Sequence, residues 1–115
     1  MRRHLVLVGL PGAGKSTVGE LVARELNTSL VDVDSTIERA TSSTISEIFQ
    51  REGEARFRAR ERKTVDGALG GKPCVVVPGG GWAAHPGNLE RAQGRALLVY
   101  LSVSPEEAAG LGRPL

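Results

Sequence analysis

The sequence predicts an α/β domain, a parallel sheet covered by helices on both faces. Three observations carry this. Short apolar runs alternate with stretches of helical period along the whole chain. The run "CVVVP", residues 74–78, is apolar throughout, as a strand buried on both faces must be. No repeat, low-complexity segment or long linker breaks the alternation, so residues 1–115 read as a single domain.

The elements follow in order. Residues 5–8 form a first buried strand ending at glycine. Residues 16–26 form a helix whose apolar face is Val18, Leu21, Val22 and Leu26, with Asn27 as its stop. "SLVDVD", residues 29–34, is a second strand. Ser35-Thr36-Ile37-Glu38 and Thr44-Ile45-Ser46-Glu47 both have capping-box spacing, and each starts a helix. The second of these carries Ile45, Ile48 and Phe49 on one side. Gly53 breaks the chain before a further helix, 54–69. After the strand at 74–78, the loop "GGGWAAHPGN" leads to a short helix around 89–92 and a fourth strand, "ALLVYL". "SPEE" starts a last helix, with Ser104 as cap and Pro105 at its first position.

Composition narrows the function classes. Hydrophobic residues make up 40% of the 115 residues but aromatics only 3%, so the core rests on Leu, Val, Ala and Ile. Fifteen basic against 13 acidic residues leave a net charge of +2. No basic stripe runs free of acids, so a nucleic-acid surface is not expected. Cys74 is the single cysteine, which excludes an internal disulfide and fits a reducing cytoplasm. The N-terminal apolar run, residues 5–10, is too short for a secretory leader, and no segment approaches the ~20 residues of a membrane span.

The chemistry is concentrated in four places. Gly9, Gly14, Lys15 and Ser16 match G-x-x-x-x-G-K-[ST], a coincidence on the order of 10⁻⁵ per starting position at average composition. The motif follows a strand and opens a helix, where backbone N–H groups and the helix N-terminus favour phosphate. Asp32 and Asp34 stand at i and i+2 near the end of a strand, on one side of an extended chain. One of them could hold the waters of a cation and the other take a hydroxyl proton; a helix cap is the other reading of Asp34. In "GEARFRARERKTV" most charges read as a solvated helix face; Glu54, Arg58 and Glu61 lie together beside Phe57, and on pattern alone they too read first as that face. An arginine oriented by glutamates can grip a carboxylate through two parallel bonds. Gly79, Gly80 and Gly81 suggest a close approach to the main chain, with a merely flexible loop as the other reading. Trp82 beside them is either a lid or a packed aromatic.

Taken together, "VLVGLPGAGKSTVGE", "LVDVDSTIE", "TISEIFQREGEARFRARE", "VVVPGGGW" and "VYLSVSPEEAA…RPL" resemble the shikimate kinase family in order and spacing. The resemblance implies a P-loop NTPase-type three-layer sandwich with strand order 2-3-1-4-5. It implies cytoplasmic phosphorylation of the 3-hydroxyl of shikimate by ATP with Mg²⁺, in aromatic amino-acid biosynthesis. In these terms Gly12, Ala13, Gly14, Lys15, Ser16 and Thr17 bind the ATP phosphates, with Lys15 as the clamp and Ser16 on Mg²⁺. Asp32 supports the metal through water. Asp34 contacts the ring hydroxyls and is the base. Arg58, held by Glu61, binds the shikimate carboxylate with the backbone of Gly80 and Gly81. Arg113 lies against the adenine.

Pro78 stands where the family has a small or hydroxylated residue, and it stiffens the turn. The sequence ends at Leu115, so the resemblance implies a domain C-terminally incomplete relative to the family, with four of its five strands and no lid. The expectation is nucleotide binding, slow phosphate transfer, and self-association through the bare edge of "ALLVYL" where the family is monomeric. Two other readings remain: another small P-loop carbohydrate kinase of the gluconate kinase kind, and a nucleotide-binding remnant without catalysis.

Overall fold

The computed structural model describes residues 3–9 and 14–101. Gly12, Ala13, the helix expected at "SPEE" and Arg113 lie outside the described residues. The elements are β1 (His4–Val8), α1 (Lys15–Glu25), β2 (Leu30–Asp32), α2 (Val33–Thr41), α3 (Ile45–Glu52), α4 (Glu54–Leu69), β3 (Val75–Val77), α5 (Asn88–Gln93) and β4 (Ala96–Tyr100). The four strands form one sheet in the order β2-β3-β1-β4, and each neighbouring pair is parallel. This is the expected α/β architecture and the first four places of the expected strand order.

Alternation along the central strands separates two apolar layers. Val6, Val8 and Val76 face a core that includes Ile37, Ile48, Phe57, Val65 and Trp82, drawn from α2, α3, α4 and the glycine loop. Leu7, Val75 and Val77 face the other layer, with Ala23, Val18 and Val22 of α1. Every residue of β3 is buried, as its uninterrupted apolar run requires.

Three expectations about local structure are corrected. On α1, Val18 and Val22 pack towards the sheet as expected, beside the buried Lys15, Gly19 and Ala23, while Leu21 and Leu26 are 54% and 42% exposed. The helix lies so close to β3 that a Cβ at Gly19 would stand 2.8 Å from Val77 Cγ2, so small residues occupy the contact and leucines are turned away. The second strand ends at Asp32 rather than at residue 34. Asp32 caps α2 by accepting the Ser35 amide at 3.3 Å, so Val33 and Asp34 already belong to the helix. The capping box expected at Ser35 does not form; Glu38 instead accepts the Ile45 amide at 3.0 Å and ties α2 to the start of α3. The box at Thr44 and Glu47 forms in both directions. Gly53 separates α3 from α4 as expected.

Candidate active site

In open α/β sheets a ligand crevice opens beyond the carboxyl ends of the strands, where connections leave in opposite directions. Here β1 lies between β3 and β4, and the chain leaves it towards α1. Gly14 has φ 82°, a left-handed conformation that costs a glycine little and turns the chain into the helix. Lys15 follows at the first helical position and is buried, and its Nζ donates to the Gly9 carbonyl at 2.6 Å. Burial lowers the Lys15 pKa below the ordinary lysine value, and the neighbouring Asp34 and Asp32 carboxylates oppose that shift.

Ser16 Oγ donates to Asp32 Oδ2 at 2.9 Å. The two oxygens come from α1 and the end of β2, and Asp32 is fixed by its second duty as the α2 cap. An all-oxygen pair of one hydroxyl and one carboxylate suits a hard divalent cation that keeps most of its own waters and phosphate ligands. Among the described residues there is no group of three or more His, Cys, Asp or Glu side chains that could hold a metal alone.

Asp34 occupies the first turn of α2 beside this pair. Its Oδ1 is buried without a hydrogen-bond partner. Burial, first, and then repulsion from Glu61, Asp32 and Glu38 raise its pKa, while Arg58 pulls the other way. The helix, not the extended spacing read from sequence, brings Asp34 alongside Asp32. The cap role considered for Asp34 belongs to Asp32.

On α4, Arg58 Nη1 donates to Glu61 Oε1 at 2.9 Å, and Glu54 lies 3.7 Å from Arg58 Nε on the other side. Glu61 is fully buried, and its second oxygen accepts the Gly79 amide at 3.1 Å. Arg58 Nε has no hydrogen-bond partner. The glycines fit this cluster closely. A Cβ at Gly79 would stand 2.7 Å from Glu61 Oε2 and 3.1 Å from Asp34 Oδ1, and one at Gly81 would stand 2.6 Å from Arg58 Nη2. At Gly79 and Gly81 a side chain would therefore displace Glu61 or Arg58 from its place in the site.

Gly14, Lys15, Ser16, Thr17, Asp32, Asp34, Val77, Pro78, Gly79 and Gly80 together line one open cleft of ≈ 400 Å³. Arg58, Glu61 and Gly81 adjoin it through Gly79. Trp82 is 2% exposed in the core, so it is a packed aromatic and not a lid. The buried Asn88 and its partner Arg62 escaped the sequence reading; a polar residue after Pro-Gly carries no signal of burial.

A sequence model described as shikimate kinase matches residues 11–111. The chain belongs to the shikimate kinase family. The match takes in the lysine of the P-loop, both aspartates, α4 and the glycine loop. The shikimate kinase of Cereibacter sphaeroides is 42% identical over 101 residues, 88% of this chain and 51% of that protein. The chain spans between 51% and 63% of the length of the curated shikimate kinases it matches. A solved shikimate kinase from Acinetobacter baumannii, in complex with shikimate, superposes with a TM-score of 0.85 at 38% identity, covering 95% of this chain and 60% of that one. A gluconokinase from Sinorhizobium meliloti reaches a TM-score of only 0.55 at 19% identity, covering 94% of this chain and 62% of that one, a likeness of fold alone.

Proposed function

We propose that the chain carries the phosphate-binding and acceptor-binding half of a shikimate kinase, transferring the γ-phosphoryl group of ATP to the 3-hydroxyl of shikimate. The observation that carries this is the linkage of Arg58, Glu61 and Gly79 to the same cleft as Lys15, Ser16 and Asp34. A carboxylate gripped at Arg58 would be held at a fixed offset from the phosphate corner, and family relatives named for this activity support the reading.

The residues divide the work. Lys15, with the backbone of residues 12–17, would hold the outer phosphates, its ammonium leaving the Gly9 carbonyl for the more strongly charged phosphate oxygens. Ser16 and, through water, Asp32 would hold Mg²⁺. When bound, that ion neutralises charge on the β- and γ-phosphates. Arg58, oriented by Glu61, would grip the shikimate carboxylate with the amides of Gly80 and Gly81. Asp34 would hold the ring hydroxyls and accept the proton of the 3-hydroxyl as its oxygen bonds to the γ-phosphorus and the bond to the ADP oxygen breaks. Its raised proton affinity suits that role.

A coupled assay for ADP release decides the matter, with shikimate and gluconate as alternative acceptors. Turnover with shikimate alone is expected. Turnover with gluconate alone points to the other carbohydrate-kinase reading. Nucleotide binding with no acceptor turned over points to a binding protein.

A further inference from the structure

The glycine loop is fastened to α4 at both ends. At its start, Glu61 takes the Gly79 amide at 3.1 Å. At its end stands Asn88, 4% exposed at the start of α5. Its Nδ2 donates to the Trp82 carbonyl at 2.8 Å, and its Oδ1 accepts Arg62 Nε at 3.1 Å. The Trp82 amide donates to the Gly79 carbonyl at 3.1 Å, closing the loop on itself. Glu61 and Arg62 are consecutive, so both fastenings reach adjacent residues of the helix that also carries Arg58.

The chemistry of this second fastening admits one orientation. Arg62 offers only donors and the Trp82 carbonyl only an acceptor, so a reversed Asn88 amide would lose both bonds. In a buried position such a bridge resists exchange with water, because each lost bond leaves a polar group unpaired.

We infer that Asn88 is a positioning residue for the acceptor site. It locks residues 79–82 to α4, so that the amides of Gly80 and Gly81 keep a fixed separation from the Arg58 guanidinium. The carboxylate would then meet an assembled site rather than ordering a glycine loop on binding, whose entropy would otherwise be lost from affinity. The inference rests on the reading of that site as a carboxylate site. It assigns Asn88 no contact with substrate.

Asn88→Asp is the sharpest test. It is nearly isosteric, keeps an acceptor for Arg62, and sets an oxygen against the Trp82 carbonyl. Trp82 is the only tryptophan in the chain, so its emission reports the loop directly. The variant is expected to show red-shifted emission and greater acrylamide quenching. In calorimetry, shikimate affinity is expected to fall about tenfold, as for one buried hydrogen bond replaced by a repulsive pair. ADP affinity is expected to stay within about twofold, since that corner shares no partner with Asn88. Arg62→Gln, which removes the α4 end but leaves the Trp82 bond, is expected to weaken shikimate selectively as well. Unchanged fluorescence overturns the tether. Altered fluorescence with unchanged shikimate affinity, or an equal loss for both ligands, overturns the positioning role. Failure of the unsubstituted chain to bind shikimate overturns the functional reading instead, and fluorescence then still decides whether Asn88 holds the loop.

Discussion

Glu61 holds Arg58 with one carboxylate oxygen, at 2.9 Å, from a position that is itself wholly buried. In the proposed function the pair therefore serves stability and recognition together, and the two can be separated. Removing the arginine strands a buried carboxylate. Keeping a cation while removing the planar fork does not.

Arg58→Ala is accordingly expected to destabilise the fold by up to about 3–5 kcal/mol, the cost of leaving the buried Glu61 carboxylate without its cation. Arg58→Lys is expected to retain most of the stability yet lose shikimate affinity at least about tenfold, because a point charge cannot make two parallel bonds to a carboxylate. Thermal denaturation and calorimetry with shikimate and ADP check both. If Arg58→Lys binds shikimate as well as the native chain, Arg58 is a structural partner of Glu61 and nothing more.

At the phosphate corner, Lys15→Ala removes one charge-assisted bond of about 1.5–3 kcal/mol, so ADP affinity should fall roughly 10- to 100-fold. Shikimate affinity measured without nucleotide should hardly change. Equal ADP affinity in the two proteins, measured by calorimetry, would count decisively against the site.

Asp34 gives a prediction with a pH signature. Its native pKa is raised, so the folded chain holds this proton more tightly than the unfolded one. Stability from this group is therefore present at low pH and is lost as pH rises from the unfolded pKa through the raised native value, above which the ionised form is a constant burden. Asp34→Asn should thus raise Tm at neutral pH, with the gain shrinking below the ordinary carboxylate range. It should also lower phosphate transfer by about 10²–10⁴, the usual weight of a general base. Loss of activity with a lowered Tm at pH 7 would mean that the carboxylate is structural.

What the sequence made legible was local. The capping box at Thr44 and Glu47 spans three residues and forms as read. So does the Arg58–Glu61 pair, one helical turn apart. The box at Ser35 does not form because a competing cap, Asp32, lies just upstream and ends the strand early. The bond from Gly79 to Glu61 joins residues far apart in sequence, so the triple glycine could be read as a close approach but not assigned its neighbours. The face of α1 keeps Val18 and Val22 but turns Leu21 and Leu26 outward for a related reason. Leucine periodicity signals a buried stripe, but the distance between helix and sheet is set by the smallest residues at the contact.

That distance yields the last prediction, in which one substitution has opposite signs at two helical glycines. Gly67 lies inside α4 with nothing within 4 Å of where a Cβ would stand, so Gly67→Ala should stabilise by the helix-propensity difference, about 0.5–1 kcal/mol. Gly19 offers the same propensity gain, but its Cβ would meet Val77 Cγ2 at 2.8 Å and Leu30 Cδ1 at 3.1 Å. Val77 is buried and stiff at χ1, so the helix must move instead, at an overpacking cost of about 1–3 kcal/mol. Gly19→Ala should therefore lower Tm where Gly67→Ala raises it. Because Lys15 and Ser16 sit one turn away on α1, a helix pushed off the sheet also carries the phosphate corner with it, and ADP affinity should fall for Gly19→Ala alone. Thermal denaturation and ADP calorimetry on the two variants give the answer. A Tm rise for both would mean that α1 does not rest on β3 as closely as Gly19 implies, and that the phosphate corner is not set by that contact.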